Sequence, residues 1–103
     1  MRIILTTCAA AHAERLVETL LGERLIGCAN CLPGVRARYW WDGEICREEE
    51  TLVMMETTAA AVEAAVTRLR ALHAYDVAKI LVLEPESCAA DYRVWLDENV
   101  RPG

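Results

Sequence analysis

Tyr39-Trp40-Trp41-Asp42-Gly43-Glu44-Ile45-Cys46 is the centre of the stretch, Leu25 to Thr58, that decides the fold. Asp42-Gly43 separates two runs able to form strands. A type I′ turn needs positive φ at both central residues, which Gly accepts freely and Asp tolerates. With those two residues as the loop, Trp41 faces Glu44, Trp40 faces Ile45, Tyr39 faces Cys46 and Arg36 faces Glu49. Val35, Ala37, Tyr39 and Trp41 then share one face of the outgoing strand, and Arg36, Arg38 and Trp40 share the other. The returning strand, Glu44 to Thr57, is polar near the turn and apolar from Leu52 to Met55. Pro cannot donate to a ladder, so Pro33-Gly34 predicts a bulge or kink in the outgoing strand.

On either side of this hairpin the periodicity changes. Arg2 to Thr7 is a short apolar run with a β-branched bias, suited to a buried strand. Ala13, Leu16, Val17, Leu20 and Leu21 fall on one face of a helix over about Ala11 to Leu25, with Gly22 weakening its last turn and Gly27 placed to help end it. Thr58 can cap a second helix carrying Val62, Ala65, Val66, Leu69 and Leu72. Lys79 to Glu84 reads as a fourth strand stopped by Pro85, and Ala89 to Val100 as a terminal helix whose Tyr92 and Trp95 cover the sheet. The order predicts an α+β, ferredoxin-like split βαβ sandwich, with helices on one face of an antiparallel sheet. The hairpin is too long for so small a sheet. Its ends project, and projecting edges invite pairing with another subunit.

At 103 residues the chain reads as a single domain, 1–103, with one modest core. Its hydrophobic fraction, 54%, is high for that length while Phe is absent, so small and branched residues fill the core and apolar surface remains for a partner. A net charge of −5 opposes phosphate-driven nucleic-acid binding. No segment has the apolar length of a membrane span, and Met1-Arg2 leads into Ile3-Ile4-Leu5 without a signal-peptide layout. The expectation is a cytoplasmic protein with no membrane and no nucleic-acid partner. Its five cysteines are then expected to be reduced thiols.

Few residues offer chemistry. Cys28-Ala29-Asn30-Cys31 is a C-x-x-C, but it follows a helix and opens a strand. A redox pair needs the reverse, and residues three apart on a strand point to opposite faces. His73, after the second helix, is read either as a ligand for copper, zinc or nickel or as a helix C-cap. Arg36, Arg38, Arg47 and Glu49 make either an anion patch or a solvated face, and Glu48 and Glu50 share a face of the returning strand. Tyr39, Trp40 and Trp41 serve as a stacking platform or as packing under the projecting hairpin. No catalytic triad, phosphate-binding Gly loop or isolated catalytic carboxylate pair can be assembled, so the chain is not expected to be an enzyme.

Several of these elements, in order, resemble the CutA1 family of divalent-cation tolerance proteins. They are Glu23-Arg24-Leu25, Cys28-x-Asn30-x-x-Pro33-Gly34, Tyr39-x-Trp41-Asp42-Gly43, Glu50, Thr57-Thr58, Leu72-His73-x-Tyr75 and Asp91-Tyr92-x-x-Trp95-Leu96. The resemblance implies a non-enzymatic homotrimer acting in the response to divalent metal ions, with copper or a related divalent cation bound at clefts between subunits. Relatives proposed to bind copper join the histidine at His73 to a cysteine ending the first strand and to a glutamate beyond His-x-Tyr. Register puts Leu5 and Lys79 at those places, so His73 is the one ligand carried over, with Asp76 a weak substitute candidate. Relatives also carry Lys where Glu56 stands, so Glu56 and Lys79 are candidates for a swapped ion pair across the sheet or between subunits. The architecture is like that of P-II regulatory proteins, which makes a small-ligand sensor or signalling trimer with no metal role the alternative. A scaffolding trimer with no ligand is a third reading. An organic ligand is expected to contact Tyr39, Trp41 and the hairpin arginines.

Overall fold

The computed structural model describes residues 1–102. Four strands and three helices alternate as β1 (Arg2–Cys8), α1 (Ala10–Gly22), β2 (Cys28–Trp41), β3 (Glu44–Thr57), α2 (Val62–Leu72), β4 (Ile80–Leu83) and α3 (Ala90–Asn99). The strands form one antiparallel sheet in the order β2-β3-β1-β4, the arrangement expected of a ferredoxin-like fold. Asp42 and Gly43 take φ of 52° and 78°, and every cross-strand pair expected from that turn is present. The register shifts between Leu32 and Val35, where Pro33-Gly34 makes the expected bulge with Gly34 at φ 75°.

The sheet buries the centre of one face. Ile4 and Cys8 of β1 and Val53 and Met55 of β3 meet Ala13, Leu16 and Leu20 of α1 and Ala65 and Leu69 of α2. Strand alternation sends Ile3, Leu5, Leu52 and Met54 to the opposite face, where they stay half-buried. Thr58 does not cap the second helix itself, whose N-cap is Ala61; its Oγ1 accepts the Ala61 N–H at 3.1 Å and closes the turn that leads into that helix.

The first helix ends differently from the sequence reading. It stops at Gly22, and Arg24 rather than a glycine takes the left-handed conformation at φ 57°. Gly27 instead makes room for a neighbouring helix, since a Cβ there would stand 2.5 Å from Leu96 Cδ1. Its missing side chain lets α3 close over the chain end, where Leu96 and Val100 pack with Ala61 and Met1. Trp95 does not cover the sheet; it stacks on Tyr92 at 5.4 Å and is 42% exposed.

β1 ends at Cys8 opposite Thr51, so Glu44–Glu50 of β3 runs on with no strand beside it on that side among the described residues. The hairpin projects accordingly, and the molecule measures 44 × 25 × 21 Å.

Candidate functional site

The segment from Tyr75 to Lys79, between α2 and β4, lies across the gap left where β1 stops. Together with the projecting hairpin it encloses a groove of about 760 Å³. Tyr39, Trp41 and Glu48 border it from the hairpin; Tyr75, Asp76 and Lys79 border it from the segment. Pairing of Val35 with Glu50, Ala37 with Glu48 and Tyr39 with Cys46 places these side chains on one sheet face. Arg36 and Arg38 also border the groove. Alternation assigns them to the other face, where Arg36 opposes Glu49 and Arg38 opposes Arg47. The Arg38 guanidinium folds back on the Ala37 carbonyl at 2.9 Å.

A tyrosine–glutamate hydrogen bond organises the groove. The Tyr75 hydroxyl donates to Glu50 Oε1 at 3.0 Å, and Glu50 is only 7% exposed. Burial, reinforced by that carboxylate, pushes the Tyr75 phenol up to about 12. The neighbouring Glu48 carboxylate is the main reason the Tyr39 phenol also rises to about 12.

His73 lies behind this wall, buried between the ends of β1 and α2. The Tyr75 N–H donates to its Nδ1 at 3.1 Å. The proton therefore sits on Nε2, which donates to the Thr7 carbonyl at 3.0 Å with Thr6 Oγ1 at 3.1 Å. The His12 ring meets it edge-on at 6.1 Å. Burial is the largest influence on His73 and holds its pKa below the usual imidazole value, so the neutral ring is the form the fold keeps.

The geometry constrains the metal expectation. Both nitrogens of His73 already have partners, so a metal must displace the Tyr75 N–H or the proton shared with Thr7. The β1 side chain facing His73 is Thr6, not Leu5, because Leu5 pairs with Met54 and Leu81 on the other face. Asp76 is exposed on the outer wall of the groove, and Lys79 borders the same groove. Among the described residues, no three His, Cys, Asp or Glu side chains converge as a metal-holding group. Copper thus does not fit the residues of one chain as they stand.

All five cysteines are free thiols; Cys28 opposes Glu56 and Cys31 opposes Val53, so the C-x-x-C faces both ways. Within the chain Glu56 and Lys79 make no ion pair. Glu56 pairs with Ile3 near the start of β1, whereas Lys79 precedes Ile80, which pairs with Thr6 near its end. Glu56 instead accepts the Tyr92 hydroxyl at 2.6 Å. The sequence signals neither the Tyr75–Glu50 pair nor the Tyr92–Glu56 pair. Their partners are 25 and 36 residues apart, and only the solitary glutamate ending the apolar run Leu52–Met55 hints at one of them.

Comparison with known proteins agrees with this architecture. The family described as CutA1 divalent ion tolerance protein matches residues 2–99. A divalent-cation tolerance protein CutA of Pectobacterium atrosepticum is 33% identical over 99 residues, covering 96% of this chain and 90% of the relative. The crystal structure of CutA1 from Pyrococcus horikoshii superposes with a TM-score of 0.93 at 37% identity, covering 98% of this chain and 99% of that one. A PII-like protein CutA from Nostoc superposes with a TM-score of 0.94 at 28% identity over the whole of both chains. The hairpin register, the sheet order and these likenesses agree, and the chain belongs to the CutA1 divalent ion tolerance family.

Proposed function

We propose that this chain acts in divalent-cation tolerance as a cytoplasmic, non-enzymatic homotrimer whose ligand clefts lie between subunits. The observation that carries the reading is the groove under the projecting hairpin, bordered by unpaired strand edge. Glu44–Glu50 of β3 lacks a neighbour on one side among the described residues, and β4 ends the sheet with Leu81, Val82 and Leu83 each about half exposed. An unpaired strand edge and an open apolar edge of this kind invite pairing with another chain. The names of the relatives support the cation role. His73 and Asp76 are the side chains assigned to a copper or similar ion, with donors from a neighbouring subunit completing the set and Tyr75 moving to release Nδ1.

The test is calorimetric titration of Cu(II) and Zn(II) into reduced, anaerobic protein, beside His73→Ala and Asp76→Asn. Saturable binding at one site per chain, lost in His73→Ala, supports the reading. Binding that is absent, or indifferent to both substitutions, refutes it for this site. The second reading, a small-ligand sensor of P-II type, is favoured by the aromatic lining of Tyr39, Trp41 and Tyr75 and by the full engagement of His73. It requires saturable binding of an organic ligand that is weakened by Trp41→Ala and unaffected by chelators.

A further inference from the structure

Of the acidic side chains that border the groove, Glu48 and Asp76 are exposed and Glu50 is buried, 7% exposed. Glu50 Oε1 takes the Tyr75 hydroxyl at 3.0 Å. Its Oε2 has no hydrogen-bond partner among the described residues, yet unlike Glu56 Oε2 it is not sealed from solvent. Glu50 lines the groove, so this oxygen is open to an occupant there. A carboxylate largely withdrawn from water is stabilised by a donor, and most by a charged one. Tyr39 and Trp41 lie on the same sheet face as Glu50, and Tyr75 borders the groove from the other wall. Aromatic rings around a buried carboxylate are suited to an organic cation, because π faces attract positive charge while the carboxylate accepts its N–H. The cations at the groove are less fixed. Arg36, Arg38 and Lys79 are all exposed, where water and salt screen them. Arg38 is also folded onto the Ala37 carbonyl, and Arg36 opposes Glu49.

We propose that the groove binds a primary ammonium compound with an apolar body, the ammonium donating to Glu50 Oε2 and the body lying against Tyr39, Trp41 and Tyr75. This names the ligand class for the small-ligand reading above, and it rests on that reading. The groove, about 760 Å³, falls within the roughly 300–1,000 Å³ of small-molecule sites. Tyr75 fixes the Glu50 carboxylate through Oε1 and leaves Oε2 for the ligand. The flanking phenols register the negative field: Glu48 first and Glu50 further off raise that of Tyr39, and after burial Glu50 and Glu48 raise that of Tyr75. An anionic ligand of the same shape would bring its charge against a carboxylate held in place. A donor from a second copy would also satisfy Oε2, and that arrangement predicts no amine binding.

The experiment is calorimetric titration of the parent chain, in buffer containing a chelator, with three probes of matched shape: phenylethylammonium, phenylethanol and phenylpropanoate. Saturable binding is expected for the ammonium, about tenfold or more weaker binding for the alcohol, and none for the carboxylate. Glu50→Gln keeps an acceptor for the Tyr75 hydroxyl and is expected to lower ammonium affinity about tenfold or more. Trp41→Ala, at a side chain 53% exposed, is expected to lower it about fivefold. Where Glu50→Gln does not fold, Trp41→Ala and the order of the three probes on the parent decide. A carboxylate that binds as well as the ammonium, and is weakened by Trp41→Ala, overturns the proposal while the small-ligand reading stands. Ammonium binding indifferent to both substitutions overturns the assignment to this groove. No saturable binding of any probe overturns the proposal together with the small-ligand reading.

Discussion

Gly27 and His73 show how single residues hold this molecule together from positions that local sequence does not explain. A Cβ at Gly27 would meet Leu96 Cδ1 at 2.5 Å and Val100 Cγ2 at 3.3 Å, and both partners are buried. Gly27→Ala is therefore expected to cost about 1–3 kcal/mol through overpacking, read as a lower urea midpoint with unchanged slope. His73 links pH to stability. Its folded-state pKa lies below the ordinary value near 6.5, so the unfolded chain takes up the proton first as the solution is acidified. Stability is fully retained above that value and falls as pH drops through and below it. The urea midpoint of the parent should fall more steeply between pH 7.5 and 5.5 than that of His73→Gln; parallel profiles would show that the ring does not carry this linkage. Both roles depend on partners far away in the chain, Thr6 and Thr7 for His73 and Leu96 for Gly27, which is why Gly27 read as a helix stop and His73 as a metal ligand or cap. No local pattern encodes an acceptor at Thr7 or a clash with Leu96.

The elements themselves were legible because their signals are local. Asp42-Gly43 specifies a turn, the turn specifies a register, and the register specifies which side chains share a face. The α1 stripe followed the same logic, and Leu20 at its centre is wholly buried in the core with β1, β3 and α2. Leu20→Ala should cost about 2–5 kcal/mol, measured by chemical denaturation. Thr58→Ala, removing the hydrogen bond to the Ala61 N–H in the turn before α2, should cost about 1 kcal/mol by the same measurement. The groove was half legible. Alternation put Tyr39 and Trp41 on one face and Arg36 and Arg38 on the other, yet all four border the groove, and nothing in the hairpin announced that Tyr75 would reach back to Glu50. Tyr75→Phe leaves that buried carboxylate short of a donor, at a cost of about 1–3 kcal/mol by the same denaturation measurement.

For the molecule as a whole, the notable fact is how much strand it leaves uncovered. A chain of 103 residues with a 14-residue strand on each side of a two-residue turn extends beyond its own sheet, and its edges stay open. Trp40 is 72% exposed near the hairpin tip, while Leu81 and Leu83 line the far edge of the sheet. These surfaces account for a high apolar fraction in a small core, and the proposed trimer gives them partners. Leu81→Lys with Leu83→Lys should leave the monomer fold intact by circular dichroism while abolishing assembly. The direct measurement is sedimentation equilibrium of the parent chain at micromolar concentration. The account predicts a single species at three times the 11.5 kDa chain mass. A stable monomer of 11.5 kDa would contradict it, because the groove would then be complete within one chain and the open edges would have no partner to explain them.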